Sequence, residues 1–407
     1  MVYIIPFAAW RPSPQEAATF ACPPYDVVSR EQAATLEPQH RFLSVIRPEI
    51  SLPAEVDEDS PQAHEQASRQ LTQFEESGVL IHDSQPQLYI YRQEGFAHVQ
   101  TGIVACVRVA DYRNGTIKQH EKTLVAKELN RIHHFEATQA QTEPVFLMHR
   151  PDAHIAQLVQ SATAAAVPIY DFTSEDGVHH MLWTLSSAQT EDLVRAFAPL
   201  SALYIADGHH RSASAVKVAE ERGLDDGDPR ASIMAVIFPG EDLKVLAYNR
   251  VVRDLHGMSP CQFLEKMSAA GYALHKIDQG EQAEPERRAE FGIYIAPTHA
   301  WYRASYHGEK TGNVVADLDT SILTRTVLDP LLGIKDLRTD SRISFVGGSA
   351  GIHELEKQAA DQGIAFSLFP TAVADIMAVS DAGEIMPPKS TWFEPKLASG
   401  LFIHDLA

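Results

Sequence analysis

The run LYIADGHHRSASAVKVAEERG, Leu203 to Gly223, constrains this chain more than any other stretch. Leu203-Tyr204-Ile205-Ala206 is a short apolar run of buried-strand type, and Asp207-Gly208 ends it. Ala213, Val216, Val218 and Ala219 then lead a helix that Gly223 can terminate. Strand, glycine turn and helix start aim free backbone N–H groups and the positive end of a helix dipole at one point. His209, His210 and Arg211 crowd the same point. The pattern predicts an anion site, phosphate first. The plainer alternative is a polar loop whose histidines cap a helix.

Length and charge bound the rest. At 407 residues about two or three domains are expected. Hydrophobic residues make up 44% of the chain, enough for a large core that needs no disulfide or metal staple. Cys22, Cys106 and Cys261 lack CxxC spacing, which predicts free thiols in a reducing cytoplasm. Met1 to Trp10 has no basic start and makes a poor secretion signal. No run approaches the roughly 18 apolar residues of a membrane span. Against 54 acidic residues stand 34 Lys and Arg, a net charge of −20 that repels nucleic acid and anionic membranes. A small anionic ligand in a local basic pocket suits such a chain better. The oligomeric state stays open, a homo-oligomer included.

Mixed strands and helices predict an α/β or α+β fold. Strands are expected at 88–91, 101–110, 144–148, 233–238, 245–248, 292–296 and 343–346. Helices are expected near 63–78, 122–136 and 261–271. Asn114-Gly115 predicts a two-residue hairpin turn returning through Thr116 to Gln119. The tail from Ala372 reads as short strands and proline turns. A soft boundary divides 1–245 from 246–407.

A second segment, Lys118 to Thr138, carries chemistry. On a helical wheel Thr123, Lys127, Arg131 and His134 share one narrow arc, and Val125, Leu129 and Ile132 lie on the other side. The cationic stripe is either a ligand-facing surface or a solvated helix face. His120 and Glu121 stand at its start, Glu121 as a base or metal holder. Leu124 breaks any zincin motif. Tyr25-Asp26 in ACPPYDVVS can orient a ligand ammonium or hydroxyl, or simply form a capped turn. Gly347-Gly348-Ser349-Ala350-Gly351 fits a G-x-S-x-G elbow. The acid would be Asp361, Asp375 or Asp381 and the base His404, almost at the terminus. Ser349 as a helix cap is the competing reading. Lys389-Ser390-Thr391 and Gly308-Glu309-Lys310-Thr311 lack P-loop spacing, and no G-x-G-x-x-G follows a strand.

Taken together, PPYD (Pro23 to Asp26), HEKT (His120 to Thr123), ADGHHR (Ala206 to Arg211), YNR (Tyr248 to Arg250) and PPKST (Pro387 to Thr391) resemble the family catalogued as domain of unknown function 1015. Nearly the whole chain is covered. Asn130 stands where an aspartate is expected. The Gly208-His209-His210-Arg211 turn is also similar to the G-x-x-R turn of the ParB and sulfiredoxin fold. That likeness implies a ParB/sulfiredoxin-like core with an additional mixed-sheet region, and nucleotide phosphates bound by Gly208, His209, His210 and Arg211. Thr123, Lys127 and Arg131 would assist. Some relatives are SerK-type free serine kinases, which implies ATP or ADP with Mg²⁺ and L-serine as the acceptor. His209 replaces the sulfiredoxin cysteine, so peroxiredoxin repair is not expected. Phosphoryl transfer needs positive charge, a metal and a carboxylate near the acceptor. Glu121 is the expected base, His120 its neighbour, and Asp207 the metal or substrate holder. Tyr25, Asp26, Asn249 and Lys389 are the expected substrate contacts. A nucleotide-binding regulator without turnover is the alternative, and a Ser349 hydrolase the third.

Overall fold

The structure is a computed structural model that describes residues 1–278 and 280–407. The chain divides into two compact units, Met1–Leu243 with Pro395–Ala407, and Lys244–Glu394. The tail after Glu394 therefore belongs to the first unit, not to a region running from 246 to the end.

The first unit is built on a nine-stranded mixed sheet. Its strands are β1 (Ile4–Ile5), β2 (Tyr89–Gly95), β3 (His98–Arg108), β4 (Ile117–Lys118), β5 (Val145–His149), β6 (Tyr170–Thr173), β7 (His179–Thr184), β8 (Leu203–Asp207) and β9 (Ser232–Pro239). The order is β4-β8-β5-β9-β3-β2-β7-β6, with β1 added to β3. β5 and β9 run parallel, and β8 runs antiparallel to β5. Val145, Leu147, Ile205, Ile233, Ala235 and Ile237 are buried in the core of this unit. The strands that carry them are apolar on both faces, as expected of sheet interior.

Three helices matter for the site: α1 (Pro61–Glu76), α2 (Val125–Thr138) and α3 (His209–Glu221). Ser60 caps α1 through the Ala63 N–H. Gly223, at φ 62°, follows α3 in the left-handed conformation that glycine tolerates best.

The second unit holds a six-stranded antiparallel sheet. Its strands are β10 (Tyr248–Val252), β11 (Tyr272–Ile277), β12 (Glu290–Ile295), β13 (Ala300–Tyr306), β14 (Ile343–Gly347) and β15 (Ile364–Leu368), in the order β11-β13-β12-β15-β10-β14.

Three local expectations fail for identifiable reasons. Asn114-Gly115 closes the short helix Val109–Arg113, and β4 then pairs in parallel with β8, so there is no hairpin. The stretch Val373–Asp381 is a helix, with Ile376, Met377 and Val379 buried along one side. The third concerns α2. Arg131, His134 and Glu128 are buried, whereas Val125 is 68% and Leu129 43% exposed. Specific polar partners, described below, reward burial of the polar residues, so the helix is rotated relative to a hydrophobicity-driven placement.

This rotation predicts opposite outcomes for two apolar residues of α2. Leu129→Gln should leave stability within about 0.5 kcal/mol of the wild type, as at an ordinary surface position. Ile132→Ala should cost about 2–4 kcal/mol by loss of a buried side chain. Urea unfolding of the two variants checks it.

Candidate functional site

The end of β8 and the start of α3 make the centre of the site. The pairing of β8 with β5 shifts register between Ile205 and Asp207, a bulge that re-aims the Asp207 side chain at the strand end. Gly208 has φ 94° and is the N-cap of α3, and no side chain caps the helix there. A Cβ at Gly208 would lie 3.1 Å from the Arg211 guanidinium. Glycine therefore allows both the turn and the close approach of Arg211.

Two backbone hydrogen bonds fasten the 120–124 loop to this helix start. The His120 N–H donates to His209 Nε2 at 3.4 Å, and the Leu124 N–H donates to His210 Nε2 at 3.0 Å. The two segments singled out in the sequence are thus one site. Accepting through Nε2 places the proton of a neutral His209 on Nδ1, which faces Glu121 Oε2 at 3.8 Å. The His120 and His209 rings meet edge to face at 4.5 Å.

Both imidazoles are buried, and burial pushes His120 down to about 3 and His209 to about 4. The neighbouring His209 adds to the effect on His120, while Glu121 and Asp207 oppose it. His209 is therefore a neutral hydrogen-bonding group at pH 7, not one of the cations of the site.

The positive charge comes from elsewhere. Arg211 is buried and donates through Nη1 to the Pro144 carbonyl at 2.6 Å. Burial works against its charge, but Glu143, Asp207 and Asp26 outweigh this and raise its pKa further. Asp207 Oδ2 lies 3.7 Å from Arg211 and 3.4 Å from Lys396 Nζ. Burial opposes its ionisation, yet Lys396, Arg211 and His209 hold its carboxyl far below the usual range. Lys396 arrives on the tail, far away in sequence, so no local pattern announces it.

Glu143 is the second residue that sequence reasoning missed. It is buried, accepts from the Tyr25 N–H at 3.2 Å and Ser399 Oγ at 2.9 Å, and lies 3.6 Å from Arg131. Arg131 in turn stacks over the Tyr25 ring at 4.1 Å. Burial pushes the Tyr25 phenol up to about 12, against the pull of Arg131. A cleft of about 350 Å³ opens beside this pair, lined by Tyr25, Asp26, Arg47, Glu49, Lys127 and Arg131 among others.

The other expected site residues have the following surroundings. Lys127 is exposed on the cleft. Thr123 hydrogen-bonds the Glu128 carboxylate, which also pairs with Lys217. His134 bonds the Val45 carbonyl at 3.0 Å. Asn249 and Lys389 belong to the second unit. Asn249 Oδ1 accepts from the Leu368 N–H at 3.0 Å, a tie between neighbouring strands, and Lys389 lies over the Tyr248 ring at 5.3 Å. Ser349 is exposed within a strand–turn–helix segment, but the following helix has Ala350 at its N-cap and no side-chain cap. His404, the proposed hydrolase base, bonds Ser232 Oγ at 3.1 Å in the first unit. Ser349 therefore does not cap that helix. None of the described residues lies in a helix long and apolar enough to cross a membrane.

Residues 4–321 match the family model "Protein of unknown function (DUF1015)". No curated protein gives a significant match. Similar solved structures include the following three. A conserved hypothetical protein from Pyrococcus furiosus is 13% identical, with 74% of this chain and 95% of that one covered and a TM-score of 0.37. A free serine kinase in complex with AMP is 13% identical, with 71% and 86% covered and a TM-score of 0.37. SbnI with C-terminal truncation, from Staphylococcus aureus, is 12% identical, with 74% and 87% covered and a TM-score of 0.38.

Two predictions follow from the electrostatics. Arg211→Ala removes the buried cation that Glu143 and Asp207 share, leaving them Arg131 and Lys396, and should destabilise the protein by about 1.5–3 kcal/mol in chemical denaturation. The second concerns pH. His120 is neutral when folded and takes a proton more readily when unfolded. Its contribution is complete above the unfolded value near 6.5 and is lost as pH falls from there toward about 3. His120→Gln should therefore reduce the stability lost between pH 7.5 and 5.5 by about 1 kcal/mol, compared by denaturation at both pH values.

Proposed function

We propose, for a chain that belongs to the DUF1015 family of proteins of unknown function, that the first unit carries a phosphotransferase site. The reaction moves a phosphoryl group from ATP or ADP to the hydroxyl of a small metabolite, with free L-serine as the first acceptor to test. One observation carries the reading. The start of α3, behind a left-handed Gly208, has no side-chain cap, and an ionised Asp207 and Lys396 stand beside it. Free N–H groups and a positive dipole end are what a phosphate binds.

The carboxylates divide by environment. Asp207 is pinned by Lys396 and Arg211 and held as the anion, which suits a metal or substrate holder and makes it a poor base. The Glu121 side chain is 31% exposed and faces the His209 Nδ1 edge. It is the group placed to take the acceptor hydroxyl proton. That oxygen attacks the terminal phosphorus, the bond to the bridging oxygen breaks, and the shortened nucleotide leaves. His120, buried behind His209, is a positioning residue.

Asp207 is the carboxylate that would hold Mg²⁺, a hard cation bound by one or two carboxylates together with phosphate oxygens, while Glu121, beside His209, stays free to take the proton. When bound, the ion neutralises charge on the phosphates. Tyr25 and Asp26, which line the cleft beside Arg131, are the acceptor contacts in this reading.

The test is phosphorus NMR of the protein with Mg²⁺, L-serine and either ATP or ADP. A phosphoserine resonance that grows with time is the expected outcome. Glu121→Gln should bind nucleotide nearly as the wild type does and lose turnover by about 10²–10⁴. Nucleotide binding without any phosphomonoester would replace catalysis by nucleotide sensing. Absence of nucleotide binding would remove both readings.

A further inference from the structure

A second cluster lies away from the β8–α3 turn, where the entry into α1 meets the side of α2. Asp59 precedes Ser60, the cap of α1, and His64 sits in the first turn of that helix. His133 comes from α2. Asp59 Oδ1 is 3.2 Å from His64 Nε2 and 3.4 Å from His133 Nδ1, and the three ligand atoms all lie within 4.8 Å of one another.

These separations have a chemical meaning. Zinc binds imidazole nitrogen at about 2.0–2.1 Å and carboxylate oxygen at about 2.0–2.2 Å in a tetrahedron, so the donors of such a site sit roughly 3.3–3.5 Å apart, as these bond lengths require. Both contacts of Asp59 fall close to that edge length. The rings of His64 and His133 meet at 5.6 Å and 67°, so they do not stack face to face and can converge on one point. His64 is 5% exposed, which holds its ring between the helices.

A cleft borders the cluster, lined by Asp59, His64, His133, Glu65 and Glu136. Glu136 follows His133 by three residues and so shares its helix face. Two further carboxylates thus line the cleft on which the three donors open, and a water can complete a four-coordinate ion. Two imidazoles and a carboxylate form a borderline donor set. It suits zinc or a neighbouring transition ion, whereas Mg²⁺ prefers oxygen ligands.

The geometry points to a binding site for a divalent transition metal, zinc by its donors, formed by Asp59, His64 and His133. The ion cross-links the start of α1 to α2. Asn130 Nδ2 donates to the same Asp59 oxygen at 3.1 Å and orients the carboxylate toward the two rings. Asp59 and His64 also line the cleft that holds Tyr25, Lys127 and Arg131, so the test uses no nucleotide and its outcome does not depend on phosphotransfer.

The experiment titrates untagged, chelator-treated full-length protein with Zn²⁺ by calorimetry, and with Co²⁺ by visible absorption. One equivalent bound at micromolar affinity or tighter is expected, with the d–d bands of low-symmetry four-coordinate cobalt. His133→Ala and Asp59→Asn should each weaken Zn²⁺ binding at least tenfold. Both side chains are partly exposed, 48% for His133 and 40% for Asp59, so the fold should survive, as unchanged circular dichroism would confirm. Zinc binding that persists at full strength in both variants, or no binding by the wild type, overturns the proposal.

Discussion

The buried charge of Arg211 is the constraint around which the first unit is arranged. A guanidinium out of water is costly unless hydrogen bonds and opposite charges surround it. Pro144 at the start of β5 supplies a carbonyl, and Glu143 and Asp207 supply charge from two different strand regions. Glu143 then reaches the Tyr25 backbone and Arg131, and Asp207 reaches Lys396. The N-terminal turn, the β8 end, α2 and the tail are joined through this one group. These contacts fix the position of the charge within the unit.

The same network explains what was legible in the sequence. Strand, glycine and helix at 203–223 are local signals, and each appears where its own residues predict it. The link between that turn and the 120–124 loop was legible only as two polar segments. The hydrogen bonds that join them come from backbone N–H groups, which no residue pattern encodes. Glu143 and Lys396 were invisible for a related reason. An isolated glutamate or lysine has no periodicity, and its partner lies across the fold.

The orientation of α2 shows where a hydrophobic wheel fails. The wheel assumes that apolar residues go inward, yet Val125 and Leu129 point out. Arg131 pairs with Glu143, His134 with the Val45 carbonyl, and Glu128 with Lys217, while the Glu128 carbonyl accepts from Ser214 Oγ at 3.0 Å. A helix with this many specific polar partners can bury charge that a generic surface helix cannot. The histidines invert the expectation in the other direction. Read from the sequence as a potential cation or hydrogen-bond donor, His209 is the neutral group, because burial outweighs the pull of Asp207.

The place of the tail has a consequence for synthesis. Residues 395–407 complete the first unit, through Lys396 beside Asp207, the Cys22–Ser399 and Trp10–Ile403 bridges, and the pairing of His404 with Gln141. The whole of 244–394 is translated between the sheet and these residues. Domains generally fold from the N-terminus as they emerge, at about 5–20 residues per second. A nascent chain can therefore form most of the sheet, and can complete the second unit, while Asp207 still lacks its lysine. The site becomes whole only when 395–407 leave the ribosome, so a truncated translation product would present a nearly finished fold with an unfinished centre.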